Sequence, residues 1–393
     1  MDYNKFLNKQ VVDIKFSGIR KFFDIAAEME DVVSLGVGEP DFASPKSAKD
    51  AGVDLILNGS TRYTSNAGLL GLRKNIAKYL LQRFNIETSD KNVLITVGGS
   101  EAIDVAFRAV LNAGDEVLVP EPCFVSYAPC ITMAQGVAVG VNCYEKDNFK
   151  ITPEELERAI TPKTKVLLLT YPNNPTGAIM TKADLEKIIP IIIKHNLLIV
   201  TDEIYAELTY GSEHCSIASL PNMLERTILI SGFSKAFAMT GWRVGYAVAP
   251  KEIYTQMLKI HQYIIMCAPS ISQVAANAAL EEGFKNDFND ILIMRNEYEK
   301  RRKYLIKEFN DMGLHCFNAE GAFYVFPCVA SLGMTGDEFA NKLIQAKKVA
   351  VVPGDAFGDC GKFYVRVSYA YSMENLKLAI SRIKEFIEES KRK

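Results

Sequence analysis

The chain has 393 residues, 48% hydrophobic and 23% charged, which fits two to three domains and a large buried core. A formal net charge of -2 gives no electrostatic reason to expect nucleic acid or an anionic membrane as a partner. The longest apolar runs, such as Ile188–Ile193, are too short to span a bilayer. Met1-Asp-Tyr-Asn-Lys-Phe6 lacks the apolar region of a signal peptide, which predicts a cytoplasmic protein. The eight cysteines never form Cys-x-x-Cys and the four histidines stand at no ligand-like spacing to them, so buried reduced thiols are expected rather than a metal site. Cys123 alone draws notice, because it adjoins Phe124.

From about residue 90 to 250, short apolar runs alternate with helical patterns. The strand candidates are 93–97, 116–120, 165–170, 197–200, 227–230 and 244–248, with helical segments at 101–112, 153–160 and 181–195 between them. Runs apolar on both faces predict a mostly parallel sheet covered by helices, in one large α/β domain. Past about residue 280 a charged helix pattern (287–311) leads to Gly321-Ala-Phe-Tyr-Val-Phe326. A helix at 337–347, the strand pair 349–352 and 363–368, and a terminal helix follow. That is a smaller α+β unit. The expected division is an N-terminal segment 1–45 packing with the small domain, a large domain 46–282 and a small domain 283–393.

Lys235 stands just past the apolar run Thr227-Ile-Leu-Ile230, where an ammonium is costly unless a lowered pKa or a covalent bond removes its charge. Lysine forms a Schiff base with an aldehyde cofactor, most often pyridoxal 5'-phosphate (PLP). The hydroxyls of Ser231 and Ser234 and the guanidinium of Arg243 suit a phosphate tail. A lone lysine at a strand end is more often simply solvated, so the weight rests on its company.

In an open parallel sheet, ligands bind at the carboxyl edge of the strands. Several residues sit there. Gly98-Gly-Ser-Glu-Ala102 leads into a helix whose N–H groups favour an anion, although Ser100 alone reads better as an ordinary N-cap. Asp202 at a strand end can hold a protonated pyridine nitrogen, with Tyr205 offering its phenol to the ring hydroxyl; an aspartate N-cap beside a core tyrosine is the even alternative. Tyr171-Pro-Asn-Asn-Pro-Thr-Gly177 presents Asn174 on a rigid loop or is a plain turn, and Phe124 can stack on a flat ring or fill core. Arg366, in the middle of Tyr364-Val-Arg-Val-Ser368, needs a carboxylate partner, from substrate or from an internal salt bridge.

Over essentially its whole length the sequence resembles the PLP-dependent aminotransferases of fold type I, class I/II. The resemblance is carried by Asn173–Gly177, Asp202–Tyr205, Ser234-Lys235, Met239–Arg243 and Tyr364–Ser368 in the family's order and spacing. Ser17-Gly-Ile-Arg-Lys-Phe22 and Ser100–Asp104 are similar to the bacterial branch of aspartate, aromatic and N-acetyl-diaminopimelate aminotransferases. The resemblance implies a large PLP-binding domain with a mostly parallel seven-stranded sheet and a smaller α+β domain. It implies that Lys235 carries PLP and moves the proton, that Asp202 pairs with the pyridine nitrogen, that Asn174 and Tyr205 contact the ring oxygen and that Phe124 stacks. It assigns the phosphate to Ser100 and Glu101 through their backbone N–H groups and to Ser234 and Arg243, with Tyr63 reaching it from the neighbouring subunit of a homodimer. It assigns the substrate α-carboxylate to Arg366, with Asn174 and the Gly38 backbone nearby, and leaves Arg20 as a candidate for a side-chain carboxylate. Where many relatives carry a serine three positions before the lysine, this chain has Gly232, which favours Ser234 over Ser231. The expected reaction moves an amino group from an amino acid, such as aspartate or an aromatic donor, to a 2-oxo acid such as 2-oxoglutarate. A PLP-dependent β-lyase is the alternative, and a non-catalytic PLP-binding sensor a remote one.

Overall fold

The computed structural model describes residues 1–16, 18 and 29–391. After a two-residue strand β1 (Val33–Ser34) the chain builds β2 (Val93–Thr96), β3 (Glu116–Glu121), β4 (Val137–Asn142), β5 (Thr164–Leu169), β6 (Leu198–Asp202), β7 (Thr227–Gly232) and β8 (Gly245–Val248). The last seven form one sheet in the order β2-β8-β7-β6-β5-β3-β4. All neighbours run parallel except β8, which is antiparallel to both β2 and β7. β4 is an edge strand that the sequence reading lacked among its candidates: its residues are mostly exposed or half-buried, so no continuous apolar run marks it.

Alternate residues of β7 serve opposite cores, as the period of a strand requires. Leu229 packs on one face with Ile95, Phe233 and Leu280, while Ile228 and Ile230 pack on the other with Ala102, Val105 and Ala106. The helix Gly98–Val110 buries Ala102, Ile103, Val105, Ala106 and Phe107 against that second face. Capping boxes at Thr181/Asp184 and Thr335/Glu338 set the starts of the helices Lys182–Lys194 and Gly336–Lys347.

The smaller α+β domain carries β9 (Tyr324–Val325), β10 (Val349–Ala350), β11 (Val352–Pro353) and β12 (Val365–Ser368), with the helices Asn289–Asp311, Gly336–Lys347 and Met373–Lys391. The single strand expected at 349–352 is divided at Val351. Its first half pairs in parallel with β1, and its second half joins the antiparallel sheet β11-β12-β9. Through β1 and the buried Leu35, residues far apart in sequence share one core with Tyr298, Phe323, Val367 and Tyr369. This places the segment after Leu35 at the carboxyl edge of the large sheet.

Candidate active site

A cavity of about 460 Å³ opens at that edge. Its walls include Gly38, Ser100, Phe124, Asn174, Asp202, Tyr205, Ser234, Lys235, Arg243 and Arg366, ten residues singled out from the sequence and scattered over most of its length. The chain segment closing one side is staked down: Asp41 takes two hydrogen bonds from Arg301 Nη1 (2.9 and 2.8 Å) and one from Tyr298 Oη (3.2 Å), and Ser44 Oγ accepts from Trp242 Nε1 (3.0 Å).

Lys235 and Arg243 share the loop in which β7 turns back into β8. The turn is tight at its base, where Gly232 faces Gly245. A Cβ on Gly232 would lie 2.9 Å from Gly245 Cα, and one on Gly245 would lie 2.6 Å from the Gly98 carbonyl carbon. The space that a serine side chain would need at position 232 is taken by backbone. Ser231 Oγ donates to the Glu203 carbonyl (3.3 Å) and does not line the cavity, whereas Ser234 does. Gly98 has φ +73°, and a Cβ there would stand 2.7 Å from Arg243 Nη2. The glycine therefore lets the guanidinium lie against the start of the helix Gly98–Val110, where unpaired N–H groups gather.

That helix begins three residues earlier than the 101–112 pattern, and its N-cap is Val97, which corrects the reading of Ser100 as an N-cap. Ser100 falls in the first turn with its side chain toward the cavity. Glu101 does not line it. Its carboxylate is held by the Val97 N–H (2.5 Å) and His261 Nδ1 (2.6 Å), which leaves its backbone N–H for the role the resemblance implies.

Asp202 ends β6 almost fully buried. Its Oδ2 accepts from Tyr127 Oη (2.9 Å) and its Oδ1 from the Ile204 N–H (3.1 Å). Burial pushes the carboxyl up to about 6, against the pull of those two donors. Lys235 Nζ donates to the Gly38 carbonyl (2.5 Å). Burial, and then the nearby Arg366 cation, bring its ammonium down to about 8 in spite of Glu39 and Asp202. The cost foreseen for a charge at this position is thus present as a depressed pKa.

Arg366 lies in the middle of β12 and is 2% exposed. Nη1 donates to Asn174 Oδ1 (2.9 Å) and Nη2 to the Gly36 carbonyl (2.5 Å), while Nε is buried with no partner among the described residues. Its guanidinium also lies over Tyr324 (4.5 Å) and Phe357 (4.9 Å). No carboxylate comes within ion-pair range of it among the described residues, so the internal salt bridge weighed from the sequence is not what holds it.

Two residues enter the site without having been given a part. Tyr127, three positions after Phe124 and in edge contact with its ring (5.6 Å), holds Asp202. Tyr324 shares a 2.9 Å hydrogen bond with Tyr205 Oη. Tyr63 is 81% exposed and absent from this cavity, and Arg20 lies outside the described residues. Cys123 is buried, with its thiol pushed up by burial, and does not line the cavity.

Residues 30–383 match the family Aminotransferase class I and II. The Bacillus subtilis (strain 168) protein YugH is 49% identical over 383 residues, covering 97% of this chain and 98% of that one. The aspartate aminotransferase of Pyrococcus abyssi is 44% identical over 377 residues, covering 95% and 96%. Among solved structures, the aspartate aminotransferase of Thermus thermophilus with maleate superposes with a TM-score of 0.92 at 36% identity, covering 96% of this chain and 99% of that one. The aromatic aminotransferase of Pyrococcus horikoshii OT3 gives 0.90 at 41%, covering 95% and 99%. A lysine of depressed pKa, a buried carboxylate and a guanidinium with no counter-ion among the described residues thus stand around one cavity as the furnishings of a known group: the chain belongs to the fold type I PLP-dependent aminotransferases of class I and II, in the branch of aspartate and aromatic aminotransferases.

Proposed function

We propose that the cavity holds PLP and moves an amino group from an L-amino acid, aspartate or an aromatic donor among them, to a 2-oxo acid such as 2-oxoglutarate. The observation that carries this reading is Arg366, a buried cation with no counter-ion among the described residues, facing the same cavity as a lysine whose ammonium is brought down to about 8. A group of PLP's chemistry suits the other walls. The Asp202 carboxyl, raised to about 6 by burial, has a use for a protonated ring nitrogen. The glycine cradle at Gly98 and Gly245, with Arg243, Ser234 and Ser100, suits a phosphate.

In this reading Asp202 would hold the ring nitrogen protonated, Tyr205 and the Asn174 amide would hold the ring oxygen, and Phe124 would support the ring face. When bound, PLP supplies a sink for the electron pair left at the substrate Cα and a carrier for the amino group. Arg366 offers its planar fork to the substrate α-carboxylate and so fixes which bond at Cα faces Lys235. Lys235, neutral above about pH 8, would take the Cα proton at Nζ and hold it for return to the carbon on the far side of the nitrogen. Val37, Ile103 and Ile204 line the cavity and reduce water around these charges.

The exposed ring of Tyr63 is assigned to the partner's phosphate in a homodimer. An apolar surface suits that assembly: Ile56 and Leu57, Tyr63, and Tyr263 with Ile264 are all more than half exposed, and Asn66 Nδ2 ties the Tyr63 loop to the Met266 carbonyl (2.8 Å). The test is the visible spectrum of the PLP-loaded protein on adding single amino acids without an acceptor. Conversion of the yellow band to the amine form of the cofactor is the expected result. A band that survives every donor while pyruvate and ammonia accumulate would overturn it in favour of elimination.

A further inference from the structure

We propose, given that reading of the site, that Tyr324 is a positioning residue whose hydroxyl donates to Tyr205 Oη and whose ring supports the guanidinium of Arg366. Tyr324 lies on β9, which pairs with the strand that carries Arg366, in the register Ser368 opposite Tyr324. Its ring centre is 4.5 Å from Arg366 Cζ, a distance at which a buried guanidinium gains from an aromatic face. Its hydroxyl is 2.9 Å from that of Tyr205, and the two rings meet edge to face at 5.9 Å. The one phenol is 1% exposed and the other 6%, and neither hydroxyl has another partner among the described residues. The backbone makes room for this contact: a Cβ on Gly38 would lie 2.4 Å from Tyr324 Oη.

The direction of donation follows from the surroundings. Burial raises both phenols, and the Arg366 cation, with its Cζ 4.5 Å from the ring centre of Tyr324, pulls back against that rise and makes Tyr324 Oη the donor. With its oxygen already accepting, Tyr205 keeps its own proton for the ring oxygen of the cofactor. A hydroxyl that accepts one hydrogen bond donates the next more strongly. Tyr324 thus prepares two groups at once, through Tyr205 on the cofactor side and Arg366 on the substrate side.

The experiment compares PLP-loaded wild type, Tyr324→Phe, Tyr205→Phe and the double variant by the pH midpoint of the visible band, together with the affinity for propionate as an unreactive carboxylate. Tyr324→Phe keeps the ring and loses the hydroxyl. It is expected to raise the midpoint by roughly 0.3–0.5 pH unit, because a weaker bond to the ring oxygen leaves the chromophore's proton more tightly held. In the Tyr205→Phe background the same substitution is expected to move nothing, and propionate affinity to stay within about twofold. Tyr324→Leu, which loses the ring as well, is expected to weaken propionate about fivefold. An unchanged midpoint, or an equal shift in both backgrounds, overturns the proposal while the functional reading stands. A wild-type protein that gives no visible band with PLP overturns that reading and the proposal with it. Should Tyr324→Phe fail to fold, Gly38→Ala crowds the hydroxyl from the other side, and an unshifted midpoint there overturns the proposal equally.

Discussion

Asp202, at the end of a strand of the large sheet, and Arg366, in the middle of a short strand of the smaller domain, are both buried charges facing one cavity. Neither has a counter-ion within ion-pair range among the described residues. They are accommodated in opposite ways. The carboxylate is held by two donors and retains an escape, since its pKa of about 6 lets it take up a proton near neutrality. The guanidinium has no such escape: burial lowers its pKa, but from so high a starting value that it keeps its charge, and it leans instead on two carbonyl oxygens and two aromatic faces. One wall is thus adjustable, suited to a cofactor whose ring nitrogen shares a proton with it. The other is a fixed cation, suited to a carboxylate that arrives and leaves in every turnover.

The largest effect should come from removing the lysine that stands between these walls. Lys235→Ala is expected to bind PLP without a covalent link and to lose about 10⁴-fold or more in kcat. Measurable multiple turnover in that variant would overturn the assignment. Asp202→Asn breaks the adjustable wall and should lower kcat/KM by about 10²–10³-fold. It should also have an effect in the protein free of PLP. The folded pKa of Asp202 is raised from 3.8 to about 6, so its contribution to stability is greatest below pH 4 and is lost as the pH rises from about 4 to about 6. The loss is about 3 kcal/mol for a shift of that size. The asparagine variant should accordingly melt above the wild-type apoprotein at pH 7, and the gap should close below pH 4. A gap independent of pH would show that the carboxylate's charge is not what strains the site.

Arg366→Lys tests the fixed wall. A lysine keeps the charge and loses the fork, so KM for the amino donor should rise about 10–100-fold while the PLP spectrum is unchanged. No pH-dependent stability gap of the Asp202 kind is expected, because the buried charge stays in place. A variant that instead lost PLP would place Arg366 among the cofactor's supports.

How much of this arrangement was legible in the sequence follows from the same contrast. The sheet-edge wall could be read directly, because a chemically odd residue just after an apolar run is visible in one dimension: Lys235 after β7, Asp202 at the end of β6, Asn174 after β5 and Gly98 after β2. Arg366 stood out only as a charge in an apolar strand, with a salt bridge as a fair alternative. Tyr324 gave no signal, since in Gly321-Ala-Phe-Tyr-Val-Phe326 it looks like its neighbour Phe323, which is fully buried core. Only the pairing of β9 with β12 turns it toward Arg366. The edge strand β4 was missed for the converse reason, half of its residues being too exposed to make an apolar run. Chain order likewise concealed that 349–352 serves two sheets, because its division depends on β1, which pairs from more than 300 residues away.

Tyr127 sharpens the comparison with the smallest effect. Its hydroxyl is one of two donors on the Asp202 carboxylate among the described residues, at 2.9 Å, and it holds the pKa of that group down against burial. Tyr127→Phe keeps the edge contact with Phe124 and deletes the donor. One buried hydrogen bond to a charged group contributes about 1.5 kcal/mol, so the Asp202 pKa should rise by about one unit, from about 6 toward 7. PLP affinity, followed by absorbance, should then fall about threefold near pH 6.5 and recover toward the wild-type value above pH 8, where the carboxyl is ionised in both proteins. Recovery with pH would show that Tyr127 acts by setting a charge. A deficit constant across that range would mean that it acts by packing Phe124, and the adjustable wall would then depend on the backbone N–H of Ile204 and on burial alone.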